Sequence, residues 1–503
     1  MIYTKRKSVG AAAGSRVVTG STPTLSYAVG MPGNTVGLRA CSSKAMSMAP
    51  KTDLTGNGTA GRSLAGGRFW LFGIVIIYLI FALMYNIVTP ATLAAQHNPD
   101  ENGHIQYVQS IVAGRLPVFT NAANGPEFHQ PPLYYLASVP IYAMTHSLGY
   151  TASAHALRFV STLFGLLLIL VAYRTARLLL PDEPFVPVVV AGLVALLPMN
   201  VAMNASVGND SLTNLLVALG LMFVVEHIPD VHRQGLPPPV RLGIVLGLII
   251  ITKSSALVLY PAVLIAYAML GYRKVMPAKE ALRGAAMSIG LGILIGSPWL
   301  IRNTMLYGDP LAQKMFLNSF NNTMLANTMI YILHGSITDY FGVVAKWTFA
   351  SFWGVFDSMT AFWGCPPNAP RPPSITAPLP DIYNALAILC GISCVGLIVY
   401  FRSHKSTSAQ SAIFTSFAIL IFATWYGFTR FNLQFFQAQG RYWYTALVPL
   451  ALFATLGFRG MALRPSWFRV VGILLLAGLV SLNMYTIFCV LIPRFSAPTP
   501  GIL

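Results

Sequence analysis

Asp100 and Glu101 are adjacent carboxylates in a chain of which only 9% of residues are charged, and they follow a stretch, residues 69 to 96, that contains no charge at all. On a helix, His104 and Tyr107 fall on the face of Asp100, while Ile105, Val108 and Val112 fall on another. A carboxylate held among polar neighbours beside a long apolar run is suited to taking a proton from an attacking hydroxyl, the work of a general base. The same residues have a structural reading. Asn98 is a favoured N-cap, Pro99 suits the first helical turn, and Glu101 stands where a capping box puts its carboxylate. Capping occupies one acid and leaves Asp100 free. His97, Asp100 and His104 are also of the types that hold a divalent ion, which makes such an ion a candidate cofactor, although no familiar zinc motif matches their spacing.

Further groups of chemical interest are spread along the chain. Glu127-Phe128-His129-Gln130 precedes a diproline, Asn209-Asp210 follows an apolar segment, Arg302 precedes Tyr307-Gly308-Asp309-Pro310, and Gln439-Gly440-Arg441-Tyr442 comes late. Each has a plain structural alternative: diprolines start helices, Asn-Asp caps them, Gly-Asp-Pro turns, and an interfacial Arg snorkels. Lys253 stands out because its neighbours are apolar, where an idle lysine is costly unless it snorkels or pairs.

The elements that must position these groups follow from composition. With 55% hydrophobic residues and a mean hydropathy of +0.63 over 503 residues, the chain exceeds what a soluble core needs and reads as an all-α polytopic membrane protein. Apolar runs place eleven spans at about 69–88, 155–179, 185–203, 211–227, 241–254, 256–271, 284–301, 382–401, 411–428, 442–458 and 469–491. Lys and Arg concentrate in alternate loops, which assigns those loops to the cytoplasm. Asp100, Glu101, Glu127, Asp210, Asp309, Asp339, Asp357 and Asp381 then collect on the exterior face. Two exterior segments, 89–154 and 302–381, are too long to be simple connectors and are expected to carry function and helices lying at the interface. The Trp- and Phe-rich run from Phe341 to Phe362 suits an aromatic belt.

Residues 1–68 carry nine Lys or Arg against one acid, Asp53, and lack an apolar leader segment, so they read as a basic disordered tail or a transit peptide. The formal charge of +18 is divided between that tail and membrane topology, and gives no nucleic-acid footprint. The cysteines, Cys41, Cys365, Cys390, Cys394 and Cys489, form no metal-type cluster and read as small buried apolar residues without a disulfide framework.

Taken in order, "PDENGHIQYVQ", "HQPPLYYL", "NASVGNDSLTNLL", "TKSSALVLYP", "PWLIRNTMLYGDPL", "SFWGVF" and "QGRYWYTALVPLALFATLG" resemble the GT-C superfamily of membrane glycosyltransferases over residues 69–460, close to the bacterial aminoarabinose transferases and protein O-mannosyltransferases. The resemblance implies a GT-C fold in the bacterial plasma membrane, with the amino terminus cytoplasmic and the carboxy terminus and active site exterior. It implies a donor sugar on a polyprenyl phosphate, transferred with inversion to a hydroxyl of a glycan, lipid or protein. By the same resemblance Asp100 is the base, Glu101 its neighbour and Asp210 a second acid. Arg441 is the first choice for the donor phosphate, since an Arg fork matches phosphate oxygens, with Arg302 and Lys253 next. His104, Tyr107, Glu127, His129, Gln130 and Tyr442 are expected to line the cavity. The aminoarabinose branch has Glu-Lys before its diproline; this chain has His129-Gln130, so that branch's phosphate-binding lysine is missing here. A lipid or small-molecule transporter is the alternative, and it predicts ionisable residues inside the spans.

Overall fold

The computed structural model describes residues 57–121, 123, 125–227, 236–319, 324–366, 377–462 and 464–496. The basic tail falls outside them up to residue 56, as do Cys41 and both chain ends with their expected sides of the membrane. The helices are α1 (Asn57–Val88), α2 (Glu101–Val112), α3 (Leu133–Thr145), α4 (Tyr150–Leu179), α5 (Val186–Leu196), α6 (Pro198–Asn204), α7 (Asp210–Val225), α8 (Pro238–Ile250), α9 (Leu259–Tyr272), α10 (Ala278–Tyr307), α11 (Gln313–Ser319), α12 (Ala326–Ile332) and α13 (Ile337–Trp353). A hairpin of β1 (Val355–Phe356) and β2 (Ala361–Phe362) follows, and then α14 (Asp381–Ser403), α15 (Ser408–Asn432), α16 (Leu447–Met461), α17 (Pro465–Tyr485) and α18 (Ile492–Ser496). Helix α1 begins at Asn57, so the last part of the supposed tail is helical.

Among the described residues eight helices are long and apolar enough to cross a membrane, or nine if α5 and α6 form one bent span. Helices stand at all eleven expected positions, but α7 and α8, with 16 and 13 residues, fall short of the roughly 20 needed to cross the hydrocarbon. The α5–α6 bend of 62° lies at Leu197-Pro198. Proline forbids the helical hydrogen bond there and pushes the preceding residue out of the helical region, and Leu197 sits at ψ 113°. Where helices approach most closely, glycine makes it possible: a Cβ on Gly457 of α16 would fall on the Ser393 carbonyl oxygen of α14, and one on Gly396 of α14 on the Gly457 carbonyl oxygen.

Both long loops are structured. The first carries α2 and α3, and the second carries α11 to α13 and the hairpin. The second is stitched to the segment after α15 by Ala326 N–H to Gln434 O at 3.0 Å and Phe436 N–H to Met324 O at 2.8 Å. The aromatic run is not wholly a belt, since Phe356, Phe362 and Trp363 are buried, with the Trp363 indole N–H donating to Thr486 at 2.8 Å. The cysteine reading is also corrected: Cys394 and Cys489 are exposed, on outward faces of apolar helices.

A dense polar junction joins α1, α2 and α4. Arg158 of α4 makes a two-pronged bond to Glu101, Nε to Oε1 at 2.8 Å and Nη2 to Oε2 at 2.7 Å, and its Nη1 donates to the Asn86 and Thr89 carbonyls at 2.8 and 2.7 Å. The Arg158 side chain is 0% and that of Glu101 5% exposed. Removing one partner leaves a buried charge uncompensated, at a cost of about 3–5 kcal/mol, whereas removing both relieves that penalty. Arg158→Leu is therefore expected to destabilise the detergent-solubilised protein by about that amount in chemical unfolding, and Glu101→Leu/Arg158→Leu by less than the single change. A double variant worse than the single one would contradict this.

Candidate functional site

The capping box expected at Asn98 is not formed. The Asn98 amide donates to Glu101 Oε2 at 3.1 Å, the Val207 N–H donates to Glu101 Oε1 at 3.0 Å, and with Arg158 the Glu101 carboxylate is saturated. Glu101 therefore anchors α2. Asp100 occupies the N-cap position with φ 59° and ψ 9°, the left-handed region, and makes no side-chain cap bond. A non-glycine residue there costs about 1 kcal/mol or more, and Asp is among the residues that tolerate it. Its side chain is freed from the helix start and turned towards Arg441, whose Nη2 donates to Asp100 Oδ2 at 2.7 Å.

Arg441 collects the remaining charges. Its Nη1 lies 3.5 Å from Asp210 Oδ2, its Nε donates to Gln439 Oε1 at 2.8 Å, and its guanidinium carbon stands 5.3 Å from the Tyr442 ring centroid. Lys253 Nζ donates to Asp210 Oδ1 at 2.6 Å and to Asn209 Oδ1 at 3.0 Å. Two acids and two cations thus alternate in one chain, Asp100–Arg441–Asp210–Lys253. The Asp100 side chain is 44% exposed and that of Arg441 only 6%. Burial works to raise the Asp100 carboxyl, but Arg441, joined by His104 and Lys253, outweighs it and holds that carboxyl below the usual carboxylate range.

The "PPLYY" segment supports this chain. Tyr135 and Tyr107 stack with centroids 3.7 Å apart; Tyr135 O–H and His104 Nδ1 are 2.9 Å apart, and Tyr107 O–H donates to the Gln130 carbonyl at 3.0 Å. Tyr134 O–H accepts from the Gly208 N–H at 3.1 Å, and Gln130 Oε1 accepts from the Asn209 amide at 3.2 Å, which holds the loop before Asp210. Burial lowers His104, and it lowers His129 to about 4. His129 donates through Nδ1 to the Pro126 carbonyl at 2.8 Å, has the Gln130 amide on Nε2 at 3.0 Å and stacks on Phe316. A neutral ring with both nitrogens engaged does not replace a phosphate-binding lysine. Burial likewise raises the Glu127 carboxyl, which is close to His104 and Asp100.

Arg302 and His97 lie apart from this row, whereas Tyr442 stays beside Arg441. Arg302 lies over Trp299 and donates to the Pro117 carbonyl at 2.5 Å, and among the described residues it makes no bond to the acids. The Tyr442 hydroxyl reaches Gln437 Oε1 at 3.5 Å. His97 turns away from Asp100: its Nδ1 lies 2.7 Å from Asp357 Oδ1 in the β1–β2 turn, where Arg494 Nε also binds Asp357 at 2.7 Å. The Ser358 N–H and hydroxyl hold the His97 and Gln96 carbonyls at 3.0 and 2.6 Å, so this clasp fixes the backbone just before Asp100. Asp357, Ser358 and Met359 all have positive φ, 50°, 50° and 72°. A void of about 20 Å³ lies between clasp and Pro99, bordered by Tyr85, Met199, Phe356 and Phe495 but not by Arg441, Asp210 or Lys253. The set His97, Asp100, His104 is therefore not assembled, and among the described residues no three His, Cys, Asp or Glu side chains are gathered to hold a metal. Asp100 Oδ2 and both Asp210 oxygens already face Arg441 and Lys253, so these two acids do not fit a bound divalent ion.

Sequence reasoning missed Arg158, while Asn209, Gln439 and Tyr135 stood inside the motifs it singled out without being given a role of their own. Arg158 had a signal, a charge inside an apolar span, and such residues are by default paired.

Short helices α5, α6 and α7 pack against α4, and the mostly helical chain has a GT-C fold. It is similar to the archaeal oligosaccharyltransferase AglB from Archaeoglobus fulgidus, in complex with an inhibitory peptide and a dolichol-phosphate, with a TM-score of 0.50 and 16% identity over 86% of this chain and 57% of that one. A second likeness is to ArnT from Cupriavidus metallidurans bound to undecaprenyl phosphate, with a TM-score of 0.47 and 14% identity over 84% of this chain and 74% of that one. The chain spans little more than half the length of the archaeal oligosaccharyltransferase chains, 54% and 57%. Residues 130–302 match the family model described as dolichyl-phosphate-mannose-protein mannosyltransferase. No curated protein matches the chain.

Because Arg441 is the group that holds Asp100 down, Arg441→Gln is expected to move the Asp100 titration to higher pH. Infrared difference spectra of protein labelled with ¹³C-aspartate, assigned by Asp100→Asn, would follow the protonated carbonyl band. A curve unmoved in Arg441→Gln, or moved equally in Arg302→Gln, would contradict the assignment.

Proposed function

We propose that the chain is an integral-membrane glycosyltransferase that moves a sugar, with inversion, from a polyprenyl-phosphate carrier to an acceptor hydroxyl at the exterior membrane face. The observation that carries this reading is the Asp100–Arg441 pair, a half-exposed carboxylate on a buried guanidinium with Lys253 one ion pair away. The family match over residues 130–302 and the dolichol-phosphate held by AglB support a polyisoprenoid phosphate as the donor.

The resting ion pair makes Asp100 a weak base, and the donor removes that defect. A carrier phosphate offers Arg441 two oxygens in the plane of its fork and competes with the carboxylate for it. Asp100 then loses the partner that holds it down, and its affinity for a proton rises where the acceptor hydroxyl must be deprotonated. The acceptor oxygen bonds to the anomeric carbon, its proton goes to Asp100, and the carbon–oxygen bond to phosphate breaks with its electron pair passing to the phosphate. Arg441 stabilises the departing anion with Lys253, so no general acid is required. Attack from the face opposite the phosphate inverts the anomeric centre. Asp210 acts through the cations, which it holds on either side.

The test is Asp100→Asn in proteoliposomes. It is expected to lower transfer by about 10²–10⁴-fold, the usual worth of a general base, while binding of undecaprenyl phosphate stays unchanged or strengthens because Arg441 loses its competitor. Full transfer by Asp100→Asn would remove the proposed base.

A further inference from the structure

Glu127 is the one charged side chain of the cluster without a partner. It is 9% exposed, its Cγ lies under Gly103 so closely that a Cβ there would stand 3.0 Å away, and the charges acting on it are those of His104, Asp100, Lys253 and Arg441. Among the described residues its carboxyl accepts no hydrogen bond and forms no ion pair, whereas Asp100, Asp210, Lys253 and Arg441 are all matched with one another. His104 stands beside it with Nδ1 engaged by Tyr135 and Nε2 without a protein partner among the described residues. Neither the Glu127 carboxyl oxygens nor His104 Nε2 are among the fully buried side-chain atoms left without a partner, so both groups open onto accessible space that a ligand can enter.

The neighbourhood selects the ligand's chemistry. An anion is repelled by a carboxyl flanked by Asp100. A metal ion lacks a third protein ligand among the described residues. An ammonium group would add a third cation beside Lys253 and Arg441. A neutral hydroxyl remains, and it suits the pair in either state of the carboxyl, which accepts from a hydroxyl when ionised and both accepts and donates when protonated, while His104 Nε2 offers a second contact.

We propose that Glu127, with His104 beside it, is the sugar-recognition subsite, taking hydroxyls of the carrier-bound sugar while Arg441 takes the phosphate. This rests on the glycosyltransferase reading of the same site, and names the residue that reads the sugar.

The experiment measures binding of bare undecaprenyl phosphate and of undecaprenyl phosphate bearing mannose, glucose or arabinose to the full-length protein in nanodiscs, for wild type, Glu127→Ala, Glu127→Leu and Arg441→Ala. Wild type is expected to bind at least one sugar-bearing carrier about tenfold more tightly than the bare one. Both Glu127 variants should erase that increment and leave bare-carrier affinity within about twofold. Glu127→Leu should in addition leave the melting temperature of the ligand-free protein no lower than that of wild type, since no hydrogen bond or ion pair within the described residues is lost. A structural role predicts the opposite, a lower melting temperature with equal losses for every carrier, and either that result or an unchanged sugar increment overturns the proposal. If instead bare carrier does not bind, or binds independently of Arg441, the glycosyltransferase reading itself fails.

Discussion

The buried pair between Glu101 and Arg158 is the constraint on which the charged cluster depends. Its guanidinium satisfies the carboxylate at the start of α2 and the carbonyls at the end of α1 together, so the end of α1 and the start of α2 share one anchor. With Glu101 immobilised, the preceding residue has little freedom, and the left-handed backbone at Asp100 directs its carboxylate out of the helix start and towards Arg441. Two adjacent acids thus have opposite fates. One is buried and fully bonded, the other half-exposed and held by a single cation.

That division also explains how a charged site survives in so apolar a chain. Every ionisable group in the row from Asp100 to Lys253 is matched by an opposite charge within hydrogen-bond or ion-pair reach. Interactions of this sort are strong where water is scarce, but they also quench reactivity, because a carboxylate saturated by cations is a poor base. A ligand that competes for the cations converts a stable row into a reactive one. In the proposed reaction the carrier's phosphate has that role, which couples donor binding to activation of the base.

Much of the fold was legible from hydropathy and motif order, because membrane helices announce themselves by length and by the absence of charge. The short helices α7 and α8 and the Pro198 bend were less legible: an apolar helix buried by its neighbours and one facing lipid have the same composition. In the site, Asp100, Asp210, Lys253 and Arg441 stood out as rare charges beside apolar runs, and the fold brings those four together. Glu101 was misjudged because the spacing of a capping box is local, whereas its partner Arg158 lies 57 positions away. His97 was misjudged for the same reason, its partner Asp357 being 260 positions distant. Side-chain type reveals that a charge needs a partner. It does not reveal which one.

The clasp at Asp357 binds three stretches that leave the ribosome far apart in time: His97 early, the hairpin in the second loop, and Arg494 in the last described helix. The backbone leading into Asp100 cannot be fully secured until α18 has been made and docked, and Arg441 must arrive from a late segment as well. Maturation of the site is therefore a terminal event of synthesis, and chains still being made carry the carboxylate without the scaffold that aims it.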